Sequence, residues 1–87
     1  MKRKNNFIIR NVGSIKLLVP ISTEIINLNG FVVMNDMAVF LWELLKEKCL
    51  LNDLIDEVVA NFDIDYSTAR NDVQLFINEI KNLELLA

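Results

Sequence analysis

Eighty-seven residues suffice for one small domain and not for two, each with its own core; 53% hydrophobic content, two glycines and one proline exclude a disordered or fibrous chain. A net charge of −3 and a pI of about 4.8 argue against broad attraction to a phosphate backbone. No apolar run approaches bilayer-spanning length, the apolar run behind the basic opening Met1–Lys4 ends at Arg10, too early for a signal peptide, and the single Cys49 excludes an internal disulfide, so the expected location is cytoplasmic.

Residues 1–6 are basic and polar and are expected to fray. Phe7–Val12 and Ile15–Val19 are rich in strand formers and flank Gly13-Ser14, a two-residue loop with glycine first, as a type II′ hairpin turn requires. Pro20 lacks an N–H, which places it at the end of the second strand or at a sheet edge. Ser22-Thr23-Glu24 reads as a loop and Ile25–Leu28 as a short strand or extended connection. Asn29-Gly30 is a turn signal, and the apolar run Phe31–Met34 behind it is the third strand of the sheet.

The period then changes. Asn35 or Asp36 supplies a cap for a first helix over Asp36–Lys48, apolar nearly all round through Leu45 and so covered by both sheet and helices. Asn52 caps a second helix whose Leu51, Leu54, Ile55, Val58, Val59 and Phe62 fall on one face. Asp65 caps a third, with Ala69, Val73, Phe76, Ile80 and Leu83 as its buried face, and Leu85-Leu86 return to the core. The expected fold is α+β: a three-stranded antiparallel sheet followed by three helices, winged helix-turn-helix-like, in a single domain over residues 1–87.

Little here supports catalysis. The chain has no histidine, which removes the commonest general base and most zinc sites. Two glycines cannot form a phosphate-binding loop, and acidic pairs such as Asp53 with Asp56 sit at helix starts, where the helix dipole stabilises them. No metal or cofactor is expected, and a binding module is what remains.

The joint Met34-Asn35-Asp36-Met37-Ala38, followed by Leu41-Trp42-Glu43-Leu44-Leu45, resembles the PqqD-like family. The resemblance continues through Leu54, Phe62-Asp63-Ile64-Asp65, Ala69, Asp72-Val73, Phe76 and the closing Leu85-Leu86, spanning Phe7 to Leu86. Two positions depart from it: Lys48-Cys49 replaces the usual glycine between the first two helices, and Glu84 the usual glycine before the final leucines. The resemblance implies a peptide chaperone, or RiPP recognition element. Such a domain captures the leader of a ribosomally made precursor peptide and presents it to a modifying enzyme, in most cases of the radical S-adenosylmethionine (SAM) type, with a lasso-type leader peptidase as the other candidate partner.

An uncovered sheet edge can accept an extended peptide as an added strand. The candidate edge is the third strand, Phe31, Val32, Val33 and Met34, acting through its backbone; alternation divides these side chains between two faces and leaves open which face meets the peptide. Beside it, Arg70, Gln74, Ile77 and Lys81 form a mixed stripe along the third helix, with Val73 from the adjoining buried row. Two cations about an apolar centre would suit a leader with acidic residues around a hydrophobic anchor. Trp42, central in an apolar helix, is read as core. Two alternatives stand beside this reading: a winged helix-turn-helix DNA-binding regulator, disfavoured because Asp72, Glu79 and Glu84 offset Arg70 and Lys81, and a dimerisation or docking domain using the same edge.

Overall fold

A computed structural model describes residues 1–20 and 32–87. The element order is β1 (Phe7–Val12), β2 (Ile15–Pro20), β3 (Val32–Met34), α1 (Asp36–Leu44), α2 (Leu51–Phe62) and α3 (Tyr66–Asn82). The three strands form one antiparallel sheet in the order β1-β2-β3, as the hydrophobic patterning predicts. The expected loop at Ser22–Glu24, the extended Ile25–Leu28, the Asn29-Gly30 turn and Phe31 lie outside the described residues.

The β1–β2 hairpin closes with Val12 opposite Ile15, leaving Gly13-Ser14 as the two-residue loop. Gly13 takes φ +63° and is the one residue of that loop with positive φ, which is what the first position of a type II′ turn demands. Pro20 ends β2 opposite Phe7, beyond the Lys16–Leu18 stretch that pairs with β3, so its missing N–H interrupts no bond to β3. In β3, Val32 and Met34 turn toward the core while Val33 faces outward and is 68% exposed.

Helix α1 is capped by Asn35, whose side-chain oxygen accepts the Ala38 N–H at 2.8 Å. It ends at Leu44, a turn short of the expected Lys48. Past Leu45 the chain tightens into three-residue turns, with the Lys46 and Glu47 N–H groups donating to the Glu43 and Leu44 carbonyls. The Cys49 thiol then shares its one proton between the carbonyls of Leu44 and Glu47, both at 3.1 Å. These bonds shape the turn without a glycine.

Helix α2 begins two residues earlier than its composition suggests. Leu50, not Asn52, is the cap residue, and Asp53 reaches back to accept the Leu50 N–H at 3.1 Å. Its apolar face is as expected, with Leu54, Ile55 and Val58 buried, and Phe62 meets Phe40 of α1 edge-to-face at 5.2 Å. Asp65 caps α3 by accepting the Thr68 N–H at 2.8 Å.

The core comprises Leu18, Met34, Leu41, Trp42, Leu45, Leu54, Ile55, Val58, Ala69, Val73, Ile77, Ile80 and Leu85. Trp42 is core, as expected, and Leu85 tucks back onto it. Leu83 does not: it is 48% exposed, because it caps α3 just before the chain turns out through Glu84 at φ +60°.

The expected fraying of the N-terminus is corrected at residues 1–4. The backbone of Arg3 forms a bridge with Leu86 and donates to the Leu45 carbonyl, Lys4 N–H donates to Leu85, and the Ala87 N–H donates to Lys2. The Arg3 guanidinium lies 5.2 Å over the Trp42 ring and donates to the Trp42 carbonyl at 2.8 Å, with Glu43 at 4.0 Å. A basic residue that looked solvated instead finds an aromatic face and a carbonyl beside α1. Among the described residues, no helix is long and apolar enough to cross a membrane.

Candidate functional site

The change of period at Met34–Asn35 puts the end of a strand and the start of a helix side by side. Because Asn35 caps α1 immediately after β3 ends, the outer side of β3 and the first two turns of α1 share one wall. Across from it runs the middle of α3. Between them lies a groove of about 340 Å³, lined by Val33, Asn35, Met37, Ala38 and Leu41 on one side and Asp72, Leu75, Phe76 and Glu79 on the other.

β3 is bonded to β2 on its inner side, and among the described residues no strand pairs with its outer side. Backbone N–H and C=O groups along such an edge lack ladder partners. The groove therefore combines unpaired backbone with an apolar trough. Its volume falls at the lower end of the range of small-ligand pockets.

The side chains expected at the site are only partly brought together. Of the third strand, Val33 lines the groove, Val32 and Met34 face inward, and Phe31 lies outside the described residues. On α3 the expected exposed isoleucine is corrected: Ile77 is 5% exposed and belongs to the core with Val73. Arg70, Gln74 and Lys81 are exposed but do not line the groove, and Gln74 donates to Asn78 along the helix surface at 3.0 Å.

The reason is geometric. A buried helical stripe has two flanks. The Arg70–Gln74–Lys81 row lies on one, and the Asp72–Leu75–Phe76–Glu79 row on the other, which is the flank that faces β3. Leu75, 60% exposed and out of phase with Ala69, Val73, Ile77 and Ile80, marks the flank that faces β3. Phe76, expected in the buried face, is half-buried at the groove wall.

Asp72 and Glu79 are the charged residues of the lining, and neither makes an ion pair or side-chain hydrogen bond among the described residues. Among the described residues, no cluster of three or more His, Cys, Asp or Glu side chains is placed to hold a metal ion. The site presents backbone, apolar surface and two carboxylates.

The family profile described as coenzyme PQQ synthesis protein D (PqqD) matches residues 17–86, most of the sequence, from within β2 through every later element. The chain belongs to the PqqD family. Among solved structures, this PqqD-family chain is similar to one described as TbiB1 in complex with the TbiA(beta) leader peptide, with a TM-score of 0.72 and 21% identity, over 99% of this chain and 94% of that one. At that identity the likeness speaks to the fold. No curated protein sequence matches the chain.

Proposed function

We propose that this PqqD-family domain is a non-catalytic recognition element that binds the leader of a ribosomally synthesised precursor peptide by β-strand addition to β3. The observation that carries this reading is the outer edge of β3 lying beside the groove that α3 walls off. Main-chain pairing supplies affinity with little sequence choice, and side chains entering the trough supply selectivity. That TbiB1, which shares the fold, was solved with a leader peptide supports a leader peptide as the ligand.

The bound leader presents the rest of the precursor to a modifying enzyme, a radical SAM enzyme by family resemblance, with a lasso-type leader peptidase as the other candidate. The residues proposed to meet the leader are the backbone of Val32–Met34, the side chain of Val33, and Leu75 and Phe76 of α3. Arg70, Gln74 and Lys81, on the far flank, have no direct contact with the leader in this reading.

A synthetic leader from a precursor gene neighbouring this one, titrated by fluorescence anisotropy, is expected to bind with defined stoichiometry; equal affinity for its scrambled sequence would overturn the proposal. Leu75→Ala is expected to weaken binding about fivefold while changing stability by less than about 0.5 kcal/mol, since Leu75 is 60% exposed.

A further inference from the structure

We infer that the segment occupying this groove is a cationic one: an extended peptide with one large apolar anchor and a Lys or Arg on either side of it. This rests on the strand-addition reading and adds the chemistry of the partner. It reverses the acidic leader that the Arg70–Lys81 stripe suggested.

Asp72 and Glu79 stand at the two ends of the groove-facing row, and Leu75 and Phe76 lie between them. Seven residues of α-helix span about 10 Å, and three residues of extended chain cover nearly the same length. A peptide paired to β3 and running along α3 thus passes one carboxylate, an apolar seat, and a second carboxylate within about three or four of its own residues. The seat is completed across the groove by Val33 and Met37.

Asp72 is half-buried and has no cation or hydrogen-bond donor on it among the described residues. Covering it with a neutral or acidic peptide would strip water from a carboxylate with nothing in return. A Lys or Arg removes that penalty. The cations of α3, Arg70 and Lys81, lie on the flank away from the groove and do not line it, and the chain's net charge of −3 favours the approach of a basic segment.

The test is selection of phage-displayed random 12-residue peptides on the intact protein, followed by anisotropy titration of selected peptides and hydrogen exchange of the β3 amides. Expected is enrichment of an aromatic or branched aliphatic residue with Lys or Arg within three positions. Asp72→Lys with Glu79→Lys should weaken binding about tenfold, and Asp72→Asn with Glu79→Gln about threefold. Arg70→Glu with Lys81→Glu should leave it within about twofold, each variant being checked for native circular dichroism. Selected peptides that protect β3 but carry acidic or neutral flanks, and bind the Asp72→Lys, Glu79→Lys variant as well as the parent, would overturn the charge assignment and leave strand addition standing. No enrichment, or binding that leaves β3 unprotected, would overturn both.

Discussion

Among the described residues, two other than glycine take the positive φ that glycine adopts at least strain, Asp63 at φ +51° and Glu84 at φ +60°. Aspartate is among the side chains that tolerate such a position; glutamate is not. Glu84 stands where resemblance to the PqqD-like family leads one to expect glycine, and the backbone keeps the glycine conformation although the side chain has changed. Glu84→Gly is therefore expected to raise stability by about 1 kcal/mol, read as a higher urea midpoint at unchanged slope; an unchanged or lower midpoint would contradict the strain. Helix caps act at the same scale. The hydrogen bonds from Thr68, first of its side chain and then of its backbone, hold the Asp65 carboxyl below the ordinary value of 3.8. A depressed folded-state value means that the cap's contribution is fully present above pH 3.8 and fades as pH falls through the folded value. Asp65→Asn should accordingly flatten the acid limb of a stability–pH profile over that interval while leaving its slope between pH 5 and 8 unaltered.

At the scale of elements, the sheet, the three helices and two of the three caps follow from local chemistry that a sequence displays openly. A glycine-first hairpin loop, the side-chain oxygens of Asn35 and Asp65, and apolar spacing in α2 each act within a few residues of where they are written. What was not legible depends on distant parts of the chain. Periodicity identifies the buried stripe of α3 through Ala69, Val73 and Ile80, but both its flanks are partly polar, and only the position of β3 decides which one forms the groove. Placing Ile77 on a binding face followed from that ambiguity. The start of α2 departs from the expected Asn52 cap because Leu50 caps without a side-chain bond, while Asp53, inside the helix, reaches back to accept the Leu50 N–H, the reciprocal half of a capping box. The N-terminal segment makes the same point. Its polar composition suggested solvent, yet the Arg3 and Lys4 N–H groups and the Lys2 carbonyl all find partners near α1 or the C-terminus, which no local pattern encodes. Deleting residues 1–4 is expected to cost about 2 kcal/mol, the sum of a few backbone hydrogen bonds less the entropy regained, measured by urea unfolding; a loss under about 0.5 kcal/mol would mean that the segment contributes nothing net.

For the molecule as a whole, the outer edge of β3, with which no strand pairs among the described residues, poses a choice between partners. An exposed strand can pair with a foreign peptide or with a second copy of itself. Two features favour the first. β3 is only three residues long, a short basis for a stable self-pairing, and its groove is lined by Asp72 and Glu79, which a second copy would bring toward like charges. Sedimentation velocity over a hundredfold concentration range is expected to report a 10.0 kDa monomer throughout, and concentration-dependent dimerisation lost on peptide addition would instead show the edge already in use. The central claim is that a foreign segment completes the sheet at β3, and amide hydrogen exchange tests it most directly. With saturating peptide, outward-facing amides among Val32, Val33 and Met34 should slow by at least about tenfold while the free edge of β1 exchanges as before. Tight binding with β3 exchange unchanged, or with protection on β1 instead, would contradict it.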